Sequence, residues 1–219
     1  MIGNLQSGEI RAGWLIDGTG SPAVGNALIK VRENRVESVQ PASHGLSGHT
    51  SNRRDILDLS HCTNIPGLID AHVHLSMSGT IDRDRRENQL VAGYGEVEDV
   101  IAGHIKDYFQ GGIVAIRDGG DHNGHVLTYK KVTNSQHPLP VILHAAGQAW
   151  HAKGRYGGLV GKPVPDGYSL VESVLKGSDG VDHIKIINSG LNSLKDFGKQ
   201  TAPQFTSAEM EEAVNRAGM

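Results

Sequence analysis

The pattern of apolar side chains changes near Pro66. Before this point, short apolar runs separated by turn residues predict a meander of small antiparallel strands over residues 9–40. After it, apolar runs alternate with segments of helical periodicity, which is typical of parallel α/β architecture. Four strands are predicted in this second part, at residues 68–75, 113–116, 141–145 and 181–187. We therefore expect an N-terminal β domain over residues 1–65 and an α/β domain over residues 66–219.

Composition narrows the class of protein. The chain has 21 Lys and Arg against 24 Asp and Glu, which gives a net charge of −3 with histidine neutral. Such a near-neutral chain has no charge suited to nucleic acid or to an anionic membrane surface. No apolar run approaches the ~20 residues of a membrane-spanning helix, and the N-terminus has no secretory-signal pattern. The single cysteine, Cys62, excludes an internal disulfide. These features predict a cytoplasmic protein without a nucleic-acid or membrane partner.

Histidine is frequent, with 12 residues, and two of them form the clearest chemical motif. His72 and His74 stand two residues apart, so in a strand their side chains point to the same side, about 7 Å apart. Two imidazoles in this arrangement can converge on one metal ion. An isolated pair of this kind is more often structural, but the run 65–75 is apolar until its C-terminal end. Active sites of parallel barrels are built at that end of the strands, which favours a metal-binding pair.

The same run resembles the signature of the amidohydrolase superfamily, in which Pro-Gly and two apolar residues precede Asp-x-His-x-His. Four other segments are similar to parts of that superfamily, the last of them to prolidase-like and imidazolonepropionase-like hydrolases: residues 15–20, 112–118, 182–185 and 202–206. The resemblance implies a TIM-type (β/α)8 barrel, of which about the first four β/α units are present, preceded by part of a small β-sandwich. It also implies a metal-dependent enzyme that uses a metal-bound hydroxide to hydrolyse an amide or other C–N bond. The expected small-molecule substrate is a dipeptide, an N-acyl amino acid or a cyclic amide.

Lys185 is the second candidate ligand. It lies near the C-terminal end of the apolar run 181–187, where burial would lower the pKa of its amine. A lone lysine is usually solvated, so the residue by itself is weak evidence. In the resembled family a carboxylated lysine at the matching place bridges two divalent metals. The resemblance therefore implies two zinc ions held by His72, His74 and carboxylated Lys185.

Other candidate residues carry weaker signals. His151, Arg155 and Tyr156 lie in a glycine-rich stretch after the third predicted strand, and we expect substrate contacts from this loop. The run 117–121, Arg-Asp-Gly-Gly-Asp, follows the second strand. It suits the positioning of substrate or ligands, and equally suits an ion pair that caps the strand. For His144, within the third strand, we expect a buried structural role.

The resembled site needs more ligands than this sequence holds. The family takes two histidines from the fifth and sixth strands and a general-base aspartate from the eighth, which we expect beyond residue 219. A complete barrel needs about 250 residues, so residues 66–219 are expected to be its first half and inactive alone. Unpaired strand edges then predict a homo-oligomer or association with a C-terminal half. Two alternatives remain: a non-catalytic scaffold or inactive fragment with the same fold, and a mononuclear deaminase, against which Lys185 argues.

Overall fold

A computed structural model of the chain describes residues 7–41, 56–136, 138–190 and 201–217. The chain divides into two compact units, Met1–Pro66 and Gly67–Met219. The boundary lies one residue from the one that the apolar pattern predicts. No helix in the described ranges has the length and apolar character needed to cross a membrane.

The first unit is a four-stranded sheet in the order β3-β2-β1-β4. Its strands are β1 (Gly8–Leu15), β2 (Val24–Arg32), β3 (Arg35–Pro41) and β4 (Ile56–Asn64). The first three strands form the expected antiparallel meander, whereas β4 pairs with β1 in parallel. Glu33 and Asn34 join β2 to β3 with φ of 51° and 60°, as a tight hairpin turn requires. The described part of this unit is one sheet, so the second layer of the predicted sandwich is not among these residues.

The second unit contains two parallel sheets. The first has the order β5-β6-β7 and consists of β5 (Leu68–Val73), β6 (Ile113–Asp118) and β7 (Ile142–Ala145). The second has the order β10-β8-β9 and consists of β8 (Ala149–His151), β9 (Gly161–Pro163) and β10 (Lys185–Ile186). The helices are α1 (Arg83–Val91), α2 (Tyr94–Gln110), α3 (His125–Gln136), α4 (Leu170–Lys176) and α5 (Ser207–Ala217).

Two apolar clusters hold this unit together. Val97, Ile101 and Ile105 recur every four residues on α2, and this face packs with residues of β5, β6 and β7. The second cluster joins α4 and α5 to Trp150 of β8. Helix α1 has no buried residue, so it has no apolar stripe from which the sequence could have predicted it.

The predicted fourth strand, 181–187, is wrong in length, since only Lys185–Ile186 forms a ladder, and it pairs with β8. The preceding Asp182 is bonded to Ala145 through its backbone as well as its side chain, since its N–H donates to the Ala145 carbonyl at 3.0 Å. The carboxylate of Asp182 accepts a hydrogen bond from Ala145 N–H at 2.7 Å and pairs with Lys130 at 2.6 Å. The third predicted strand, 141–145, is present as β7. Gly147 adopts a φ of +66° after it, and the separate strand β8 then pairs with β10.

Candidate metal centre

The three predicted metal ligands lie close together. His72 is the penultimate residue of β5, and His74 directly follows this strand; their ring centroids are 5.5 Å apart. Lys185 begins β10, and its Nζ lies 3.2 Å from Nε2 of His72 although 113 residues separate the two. Among the described residues, no third His, Cys, Asp or Glu completes a metal-binding group. The side-chain nitrogen that lies beside the two histidines is therefore that of Lys185.

The ring of His74 is held in one orientation by backbone. Its Nδ1 lies 2.8 Å from the carbonyl oxygen of Gly120. A carbonyl oxygen only accepts, so Nδ1 carries the proton and the lone pair is on Nε2. Burial lowers the pKa of His74, and the nearby charges of His72 and Lys185 lower it further, against the opposing effect of the Gly120 carbonyl. The imidazole is thus kept in the neutral form that binds metals.

Burial also lowers the pKa of Lys185, and the neighbouring guanidinium of Arg117 adds to this effect. The shift favours the neutral amine, which is the form that reacts with carbon dioxide. A small cavity of about 100 Å³ lies beside the amine. It is lined by Ala71, His72, Arg117, Gly119, His183, Ile184 and Lys185. Nδ1 of His183 is buried and has no hydrogen-bond partner within the described residues.

Asp118 is the site residue whose role the sequence left open. It is completely buried at the end of β6, and no ion pair in the described ranges joins it to Arg117. Instead its carboxylate accepts hydrogen bonds from the backbone N–H groups of Leu75 and Gly120, both at 2.8 Å. Burial raises the pKa of Asp118 to about 7, in spite of these two bonds. Aspartate followed by two glycines at a strand end was the available sequence signal.

Residues 63–218 match the family model described as "Amidohydrolase family". The chain belongs to this family. Allantoinase from Saccharomyces cerevisiae is 27% identical over 156 residues, which cover 71% of this chain and 28% of that protein. The family match over residues 63–218 includes both segments that carry the candidate ligands, and it confirms the resemblance based on residues 65–75.

Solved structures show the same fold. A Xaa-Pro dipeptidase with bound methionine in its active site is 22% identical, with a TM-score of 0.68 over 97% of this chain and 54% of that one. Ochratoxinase from A. niger is 18% identical, with a TM-score of 0.67 over 97% of this chain and 53% of that one. The chain therefore spans about half the length of these structures and 28% of the allantoinase.

The predicted substrate residues of this amidohydrolase-family chain form hydrogen bonds separate from those of the three candidate metal ligands. His151 ends β8 and is only 5% exposed; its Nδ1 contacts the carbonyl of Ala152, and its Nε2 has no partner in the described part of the chain. Arg155 reaches Thr201 through Nη2 at 2.8 Å, while its buried Nε is likewise without a described partner. Their hydrogen bonds do not extend to His72, His74 or Lys185 within the described ranges.

Gln204 is a residue of this region that sequence reasoning missed. Its Nε2 donates to the carbonyl oxygens of Tyr156 at 2.7 Å and Ser189 at 3.0 Å. Its Oε1 accepts from Ala152 N–H at 2.8 Å. One amide side chain thus joins the loop after β8 to the segment after β10. The run 202–206 was noticed for its family resemblance, but nothing in it indicated this bridging role.

The expectation of a buried His144 is wrong, because the side chain is exposed. Strand β7 alternates: Leu143 and Ala145 are buried, whereas Ile142 and His144 are exposed on the opposite face. The exposed face of a barrel strand is the one that points to the barrel interior when the α-helices cover the other.

Proposed function

We propose that this protein is a metal-dependent hydrolase that cleaves an amide or other C–N bond of a small molecule. The observation that supports this most directly is the convergence of His72 and His74, at the C-terminal end of β5, with Lys185 of β10. Nothing in the packing of the fold requires two imidazoles and an amine of lowered pKa to meet there. Dipeptides, N-acyl amino acids and cyclic amides are the proposed substrate classes.

The donors fit a divalent cation, and zinc is the proposed metal. His74 has its Nε2 lone pair available because Nδ1 is occupied by Gly120. Nε2 of His72 lies 3.2 Å from the lysine amine, and in the Nδ1–H tautomer its lone pair would be available to a metal in place of that contact. A divalent cation bound here would lower the pKa of a water molecule and polarise the carbonyl of a substrate. Two such ions are proposed, with His72, His74 and Lys185 among their ligands.

Lys185 is proposed to act as a carbamate. The lone pair of its neutral Nζ forms a bond to the carbon of carbon dioxide while one C–O π bond breaks and its electrons move to oxygen, and the nitrogen gives up one proton to water. The product carries a negative charge on two oxygens, which suits a bridging position between two cations. The lowered pKa of the amine supports this reaction, because only the unprotonated form has a lone pair to donate.

The substrate is proposed to contact His151, Arg155 and Tyr156. Buried polar atoms in folded proteins nearly always have hydrogen-bond partners. Nε2 of His151 and Nε of Arg155 are buried without one in the described residues, so both have hydrogen-bonding capacity for a ligand. A guanidinium and an imidazole together suit a carboxylate, the group shared by dipeptides and N-acyl amino acids.

Zinc content tests the proposal. The chain is loaded with zinc in the presence of bicarbonate, freed of excess metal and measured by elemental analysis. We expect bound zinc in the wild type and its loss in the double variant His72→Ala, His74→Ala, and a reduced content in Lys185→Met. His61→Ala is the matched control, since this histidine is exposed on β4 of the first unit. Equal zinc in all four proteins would contradict the proposal and favour a non-catalytic scaffold.

A further inference from the structure

The segment Asp118–Gly119–Gly120 wraps around His74 and contacts the backbone on both sides of it. The amide of Gly119 donates to the carbonyl of Val73 at 2.6 Å, before the histidine. Oδ2 of Asp118 accepts from the amide of Leu75 at 2.8 Å, after the histidine. The carbonyl of Gly120 accepts from the ring itself. We call these three residues the His74 bracket.

Asp118 connects the parts of the His74 bracket. Its Oδ2 holds Leu75, and its Oδ1 accepts from the amide of Gly120 at 2.8 Å. The same Gly120 presents the carbonyl that faces Nδ1 of His74. One fully buried carboxylate therefore fixes both the backbone that carries the histidine and the acceptor that determines which ring nitrogen is protonated.

Both glycines of the His74 bracket are required by close approach. A Cβ on Gly119 would lie 2.7 Å from Cε1 of His74, so any larger residue would displace the ring. Gly120 adopts a φ of +82°, and a Cβ there would lie 2.7 Å from the carbonyl oxygen of Gly147. The backbone thus reaches the imidazole only because neither residue has a side chain.

We propose that Asp118 is a positioning residue, which sets the tautomer and orientation of His74 so that Nε2 is presented to a metal ion. The presentation of Nε2 to a metal rests on the proposed function. The hydrogen bonds that join Asp118, Leu75, Gly120 and His74 do not depend on a metal. Within the described part of the chain, the hydrogen bonds of the Asp118 side chain go to Leu75 and Gly120, so it reaches His74 through these two residues. In metal sites, changing the groups that hold a ligating histidine typically lowers metal affinity 10–100-fold.

Asp121 provides a matched control within the same loop. It is also buried, and its carboxylate also accepts backbone N–H bonds. Its partners, however, are Asn123, His125 and Val126 at the start of α3, and no described hydrogen bond links its side chain to His74. Asp118→Asn and Asp121→Asn are therefore the same chemical change at two buried aspartates. Only Asp118 belongs to the His74 bracket.

The first measurement uses the metal-free 219-residue chain. Long-range ¹H–¹⁵N correlation spectra of the histidine rings, assigned with His74→Ala, report which nitrogen of His74 carries the proton. We expect the Nδ1–H tautomer in the wild type and in Asp121→Asn, and a mixture of tautomers in Asp118→Asn. An Nε2–H tautomer in the wild type, or an unchanged His74 signal in Asp118→Asn, would overturn the inference. If Asp118→Asn lacks native circular dichroism, Gly120→Ala disturbs the same acceptor carbonyl and is used in its place.

The second measurement is zinc affinity, determined by competition with a chromophoric chelator. Asp118→Asn should bind zinc at least ~10-fold more weakly than the wild type, whereas Asp121→Asn should match it. In a His74→Ala background the Asp118→Asn change should have no further effect, because its action passes through that ring. An equal loss in both backgrounds would show a merely structural role. Absence of zinc binding by the wild type would count against the proposed function, and the tautomer result would still decide the positioning role.

Discussion

The buried carboxylate of Asp118 makes a testable contribution to the pH dependence of stability. Two effects oppose each other at this residue. Burial raises its pKa, with a smaller contribution from Asp121, and the hydrogen bonds from Leu75 and Gly120 lower it. Burial dominates, and the pKa rises from 3.8 to about 7. Asp118 therefore binds a proton more tightly in the folded chain than in the unfolded chain.

The sign and size of the effect follow from linkage. Below pH ~4 the carboxyl is protonated in both states, and burial of the neutral group carries no charge penalty. As the pH rises through 7 the folded chain must ionise Asp118 in its buried position, so stability is lost. A shift of about three pH units at ~1.36 kcal/mol per unit corresponds to about 4 kcal/mol. The loss is distributed over the window from pH ~4 to pH ~7.

The assay compares wild type with Asp118→Asn by urea unfolding at pH 4, 5, 6, 7 and 8. Trp150, which is 7% exposed within the second unit, reports unfolding by fluorescence, with Trp14→Phe in both chains to remove the other tryptophan. The difference in unfolding free energy, wild type minus variant, should fall by about 4 kcal/mol from pH 4 to pH 8. The exposed Asp99, replaced by asparagine, should not reproduce this fall. A difference that rises with pH would show that the two amide bonds outweigh burial.

Two further predictions concern apolar side chains. Ile101 is fully buried and packs in one apolar cluster with residues of β5 and β6. In urea titrations, Ile101→Ala should lower the unfolding free energy by about 2–5 kcal/mol. The identical change at the fully exposed Ile81 should leave the unfolding free energy nearly unaltered. Ile69 and Ile142 are 69% and 65% exposed on β5 and β7, and we propose that such side chains mediate self-association or contact with further barrel strands. Replacing both with lysine should reduce the mass found by light scattering after gel filtration, and Ile81→Lys should not; an unchanged mass in the double variant would rule out this contact.

Local periodicity predicted the elements that pack on a core. Helix α2 was predictable because Val97, Ile101 and Ile105 recur at helical spacing. Helix α1 was not, because it buries no residue. Strand β10 was predicted too long, since apolar composition cannot show that Asp182 bonds to Ala145 through its amide and its side chain instead of continuing the ladder with β8.

The same distinction between local pattern and tertiary contact applies to the residues of the site. His72 and His74 are neighbours in sequence, and strand geometry alone places their rings on one side. Lys185 was assigned only through a family resemblance, because no local rule relates residues 113 positions apart. The roles of Asp118 and Gln204 depend on which backbone amides and carbonyls lie near their side chains. Such contacts are set by tertiary structure, so the sequence could suggest candidates without choosing among them.

The shortness of β10 makes the two halves of the metal centre unequal in local stability. His72 belongs to a six-residue strand, which His74 directly follows, within a three-stranded sheet that is covered by the larger apolar cluster. Lys185 belongs to a two-residue strand whose ladder is with β8, extended by one amide bond from Ile187 to Trp150. Sub-global opening requires least free energy where few contacts are lost. Amide exchange at Ile187 should therefore be faster than at Val73, and the lysine can separate from the histidines while the remaining fold stays closed. A ligand that contacts both the histidines and the lysine would bind only the closed form, so it would suppress this opening and stabilise the folded state.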